Sequence, residues 1–212
     1  MKSKWFNAEG QFWSLLDVCG QLIILSFLWL VGSLPLITLG TSTTALYYAV
    51  TKSIRKGIGT PWKEFLRSYR ANLLRGIGVT LTAGILLTLI IFNLEVLQKS
   101  AENAFLWAGN VVTLGVVSFS CVYICPILSR FSLPLWESWK LAFVMAFRFL
   151  PYTLLLLAGF AAVCLLQFFV IPVPGILALP GLWCLITTFP CEKGLHRFMP
   201  KKEKSDTAWY YE

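Results

Sequence analysis

Apolar residues run in six stretches along this chain, at 12–33, 36–50, 73–94, 105–128, 150–171 and 176–189, with short polar gaps between them. A helix that crosses a bilayer needs about 20 mostly apolar residues, and four of the six stretches reach that length. The pattern predicts an all-α fold: a polytopic transmembrane helical bundle of about six spans, forming one membrane domain over 1–212. The stretch at 36–50 is diluted by Thr38, Gly40, Thr41, Ser42, Thr43 and Thr44. Small and hydroxyl residues let helices approach closely in lipid, so it reads as a span that faces other helices. A broken helix or a re-entrant segment is the alternative. In the last stretch, Pro180-Gly181 predicts a kink or a break.

Two gaps have a helical period of their own. At 60–72, Thr60 suits an N-cap and Pro61 the first helical position. Trp62, Phe65, Leu66, Tyr69 and Leu73 then recur at spacings of three and four, while Lys63, Arg67 and Arg70 take the other side. At 133–147, Trp136, Trp139, Phe143 and Phe147 repeat the device, accompanied by Lys140. This is the pattern of amphipathic helices lying in the cytoplasmic interface. The expected anchors are Trp62, Phe65, Arg67, Tyr69, Arg70, Trp136, Trp139 and Lys140. Segments 60–86 and 133–160 resemble each other in this respect, a hint of a duplicated unit of the kind common in transporters.

Charge then orients the chain. Every Lys and Arg except Lys99 lies at the N-terminus, in the gaps holding Lys52 to Arg75 and Arg130 to Arg148, or in the tail 191–212. Basic residues are retained on the cytoplasmic side during insertion. Six spans with both termini cytoplasmic therefore gather the most basic charge inside. If 12–50 crossed only once, five spans would result and the N-terminus would lie outside. Hydrophobic residues make up 57% of the chain and charged residues 13%, about half the charged share of a typical soluble domain. The net charge of +8 is accordingly read as topology signal and lipid-headgroup contact rather than as nucleic-acid binding.

Candidate chemistry is sparse. Asp17 is the acid placed inside an apolar stretch, where such residues usually face the bundle interior. Pairing with a cytoplasmic arginine such as Arg75 or Arg148 is favoured over an ion relay. Of the six cysteines, Cys121 and Cys125 share a helix face, too few for a closed tetrahedral metal site, and small buried hydrophobes are the simpler reading. His196 stands in the basic tail without a partner for metal or nucleophile chemistry. Phosphate-loop, dinucleotide, GxSxG and HExxH patterns are absent from the sequence. The expectation is a non-enzymatic protein with no catalytic residues, metal or cofactor.

Several segments together have a familiar order. They are Trp5-Phe6, Phe12-Trp13, the run from Ser33 to Gly40 and on to Ala45-Leu46-Tyr47-Tyr48, the run from Phe65 to Asn72, and the run from Pro126 to Phe131. In order and spacing the chain resembles the YesL-like family of bacterial membrane proteins, over nearly its whole length. The most specific element is Pro35, Thr38, Gly40, Ala45, Tyr47 and Tyr48. Pro35, Thr38, Gly40, Thr41, Tyr47 and Tyr48 are therefore the candidate helix-packing or partner contacts. Members commonly lie beside genes for carbohydrate ABC importers, so the resemblance implies an accessory or regulatory role in carbohydrate transport. The permease and ATPase subunits and the lipid bilayer would then be the partners. The alternative from a different class is a self-contained small-solute transporter or channel.

Overall fold

In lipid every backbone polar group must be satisfied within the chain, which leaves the helix as the natural state of long apolar segments. The computed structural model describes residues 5–98, 104–131, 133–169 and 174–195, and all its regular elements there are helical. They are α1 (Trp5–Ser33), α2 (Leu39–Ala49), α3 (Pro61–Ala71), α4 (Leu73–Gln98), α5 (Ala104–Arg130), α6 (Leu135–Arg148), α7 (Leu150–Phe169) and α8 (Pro174–Leu195). A 3-10 turn, Leu36–Thr38, leads into α2, and a π-helical turn, Val50–Arg55, leads out of it. Residues 1–4, 99–103, 132, 170–173 and 196–212, with Lys99 among them, lie outside the described residues. So does His196.

Three described helices are long and apolar enough to cross a membrane: they contain Leu16–Ser33, Leu73–Val96 and Phe105–Arg130. A fourth crossing results if α6 and α7, bent by 97° at their joint, form one span. Length and composition of the described residues thus support three or four crossings, and do not confirm the six spans expected from the sequence. At 36–50 the reason is local, because α2 itself has only 11 residues between its two irregular turns.

The helices form a network of contacts. α1 packs on both α8 and α2, α4 on both α5 and α2, and α7 on both α8 and α5. The helices α2, α5 and α8 also touch one another. The result is a closed arrangement around α2, α5 and α8. Those helices supply much of the core, including Ala45, Leu46, Tyr47, Tyr123, Ile124, Ile127, Cys184, Cys191 and Leu195.

Two of the contacts between helices, α2 with α4 and α8 with α1, have the same build. The Gly40 backbone N–H donates to Thr80 Oγ1 at 2.9 Å, and that hydroxyl donates to Gly76 O in its own helix. The Gly181 N–H donates to Ser26 Oγ at 2.9 Å, and Ser26 donates to Leu22 O. A Cβ on Gly40 would lie 2.8 Å from Gly76 O, and one on Gly181 would lie 2.8 Å from Leu22 O. Each glycine lets two helices approach to backbone contact. Pro180-Gly181 accordingly does not break α8, which stays helical through Pro180 and Pro190. The residue pair makes a helix–helix contact instead.

The short amphipathic helices match the sequence bounds closely, Pro61–Ala71 against 60–72 and Leu135–Arg148 against 133–147. Pro61 opens α3 after an extended Thr60, although the Thr60 side chain makes no cap bond. Each helix is followed by a single-residue joint of the same design. Asn72 N–H bonds Ser68 O and Phe149 N–H bonds Met145 O, both at 3.0 Å, before α4 and α7 begin. α3 does not extend beyond the end of α2 but lies back along it. Glu64 reaches Lys52 near one end of α2, and Thr41 Oγ1 bonds Leu73 O near the other.

Candidate functional site: a buried polar cluster between α2, α3, α5 and α8

Charged residues near the ends of apolar segments are the natural place to look for chemistry, because burial forces them to find partners. Lys52 lies on the π-helical turn and is 7% exposed. Its Nζ donates to Glu64 Oε2 at 2.8 Å and contacts Tyr48 OH at 3.4 Å. The loop between them needs glycine twice, since Gly57 and Gly59 adopt φ of +67° and +81°. A Cβ at Gly59 would also stand 2.7 Å from Glu64 Oε1. The loop therefore turns tightly enough to fold Glu64 in over the π-helical turn.

A second pair lies among α2, α5 and α8. Arg130 Nη2 donates to Glu192 Oε1 at 2.7 Å, with the side chains 1% and 7% exposed. Tyr47 OH donates to the same oxygen at 3.0 Å. One residue from each of the three central helices thus meets at a single carboxylate oxygen. Nearby, Arg55 Nη1 donates to Thr188 O at 3.1 Å, with its guanidinium 4.4 Å from the Phe189 ring centre. The cations Lys52 and Arg130 are matched by the half-buried Glu64 and the buried Glu192, so these four add no net charge. What this arrangement can do is fasten helices together. Among the described residues, no group of three or more His, Cys, Asp or Glu side chains is placed to hold a metal.

The residues singled out from the sequence separate into distinct roles. Pro35 ends the run of α1, and Thr38 closes the turn by placing Oγ1 2.7 Å from both Gly32 O and Pro35 O. Gly40 and Thr41 press on α4, Tyr47 turns to Glu192, and Tyr48 turns to Lys52. Phe65 is buried and stacks on Tyr69, whose hydroxyl donates to Gly32 O at 3.2 Å. Trp139 Nε1 donates to Thr82 Oγ1 at 3.1 Å. By contrast Trp62, Arg67, Arg70, Trp136 and Lys140 are exposed. The eight expected anchors are therefore three inward-turned docking residues and five outward ones.

Asp17 is exposed and accepts a hydrogen bond from Gln21 Nε2 at 3.0 Å. The arginine partner expected for it is replaced by this neighbour one turn along. Glu192 needs a larger correction. The sequence places it in a solvated tail from 191, yet α8 continues to Leu195, and Cys191, Glu192 and Leu195 are all buried. A usable signal exists: Cys184, Thr188, Cys191 and Leu195 follow the helical period, and Glu192 stands one turn beyond Thr188 on that face.

These features define an all-helical protein with helices of membrane-crossing length, whose buried charges are paired across its elements. A family model described as protein of unknown function, DUF624, the family to which YesL-like proteins belong, matches residues 22–94, about a third of the chain. No curated protein and no solved structure matches. The matched segment takes in the Thr38 turn, the Gly40–Gly76 contact and the Lys52–Glu64 pair.

Proposed function

We propose that this is a non-enzymatic integral membrane protein acting as an accessory or regulatory subunit of a bacterial carbohydrate ABC importer. The observation that carries the reading is how polar and apolar groups are distributed. The buried charges are paired with one another, Lys52 with Glu64 and Arg130 with Glu192, whereas long apolar faces point outward. On α4, exposed Leu81, Ile85 and Leu89 border Thr80, Gly84 and Thr88 along a shallow groove, and Gly84 has open space at its Cβ position. Such a face suits the close approach of a permease helix in lipid. In this reading the chain crosses the cytoplasmic membrane six times with both termini inside, as its basic residues favour. A reporter enzyme fused after Lys99 should then read as external, and one fused after Glu212 as cytoplasmic.

The packing of α1, α4 and α7 around α2, α5 and α8 favours a second reading, a self-contained small-solute transporter or channel. One experiment separates the two. The tagged protein is purified in mild detergent from its native host grown on complex carbohydrate, and co-purifying proteins are identified by mass spectrometry. Sugar permease and ATPase subunits in matching amounts support the accessory role. Recovery of the protein alone, while a known importer stays assembled, overturns it and makes solute flux in liposomes the next measurement.

A further inference from the structure

The open face of α3 carries three cations and no acid. Lys63, Arg67 and Arg70 are exposed at successive turns, while the helix's acid, Glu64, is drawn inward to Lys52. Among the described residues none of the three cations forms an ion pair. Trp62, 48% exposed, and Leu66, 37% exposed, share a shallow groove with them. Lys63 Nζ stands 5.3 Å from the Trp62 ring centre. Just past the Asn72 joint, Leu74 is 83% exposed, so the basic helix leads into an outward-facing apolar one.

We propose that this face binds the phosphate of an anionic phospholipid. Guanidinium forks suit phosphate oxygens, often in bidentate pairs. A tryptophan ring suits headgroup depth, being apolar at one end and polar at the other. The apolar residues within the same groove favour a lipid over the acidic surface of a soluble protein, which would match the cations but not Trp62 and Leu66. α6 offers a weaker version: Trp136 is exposed and Lys140 lies 5.2 Å from its ring centre, yet Glu137 is exposed on the same helix. The assignment requires residence in a membrane and is independent of any importer partner.

Native mass spectrometry of the full chain, released from neutral detergent with added phosphatidylglycerol or phosphatidylcholine, tests it. A charge near an anionic membrane surface is worth about 1 kcal/mol. The triple variant Lys63→Gln, Arg67→Gln, Arg70→Gln should therefore bind phosphatidylglycerol on the order of 100-fold more weakly, with phosphatidylcholine binding unchanged. The charge-conserving variant Lys63→Arg, Arg70→Lys should keep most of the affinity. Should the triple variant fail to fold, Arg67→Gln alone should show a loss of roughly 5-fold. Wild-type affinity in folded variants overturns the proposal, as does equal binding of both lipids by the native chain. Displacement of the lipid by an equal concentration of glycerol phosphate overturns the lipid assignment in favour of a soluble phosphate. Loss of a co-purifying protein with lipid affinity intact makes the face a protein-docking surface, and overturns it too.

Discussion

Removing Glu192 should cost this protein more stability than any comparable change on its surface. Arg130 Nη2 lies 2.7 Å from Glu192 Oε1, with the Arg130 side chain 1% exposed. Water therefore screens the pair little, and Glu192→Ala leaves a guanidinium buried beside a missing carboxylate. Breaking one partner of a buried pair costs about 3–5 kcal/mol. For a chain of this size each kcal/mol moves the unfolding midpoint by about 2–4 °C, so the detergent-purified variant should melt about 6–20 °C below wild type. Tyr47→Phe removes one bond to the same oxygen and leaves the pair intact, for a smaller loss of about 1.5–3 kcal/mol. The informative variant is the double replacement Arg130→Met, Glu192→Met. Apolar side chains of similar volume often replace a buried pair at little cost or with a gain, so the double variant should recover most of what Glu192→Ala loses. Thermal unfolding followed by size-exclusion chromatography in one detergent ranks all four proteins. If the double variant is as unstable as Glu192→Ala, or Tyr47→Phe is the worst of the set, the cluster is not held together as argued.

Five further substitutions test the packing. A Cβ on Gly76 would meet the Thr41 Cα and N at 2.5 and 2.6 Å, so Gly76→Ala must push α4 off α2. Overpacking costs about 1–3 kcal/mol, whereas Gly84→Ala, with nothing within 4 Å of the new carbon, should be neutral or stabilising in the same melting assay. Ser42 Oγ is buried with no hydrogen-bond partner; Ser42→Ala should raise the midpoint, because an unsatisfied buried group carries a penalty of about 1–3 kcal/mol. Gly40→Ala and Gly181→Ala enter contacts of the same design, and their midpoints should fall by similar amounts. A loss at only one of them would show that the two contacts are not equivalent.

Much of the helical layout is legible from hydropathy, and the failures share one cause. The apolar period locates α1, α4, α5 and α7, and the aromatic–basic period locates α3 and α6, because burial against lipid or protein acts along a single helix and leaves its period in the sequence. Pairing of charges acts across the fold. Arg130 and Glu192 are far apart in sequence, as are Tyr47 and Glu192, and each alone looks like a basic or acidic residue flanking a span. A pattern that reads Lys52 and Arg130 as topology signals therefore misses that both are buried and matched. The same reasoning explains the run from Pro35 to Tyr48. Pro35, Gly40 and its hydroxyl residues dilute the apolar signal, so the segment reads as a weak span. Its composition follows from three-dimensional demands instead: Thr38 closes the turn from α1, Gly40 and Thr41 admit the backbone of α4, and Tyr47 reaches the carboxylate of α8. A helix that must touch five others over 11 residues cannot also be uniformly apolar. The weakness of the second apolar stretch is thus the mark of a central position, and the same holds for α8, where two prolines and Gly181 sit in a helix that touches α1, α2, α5 and α7.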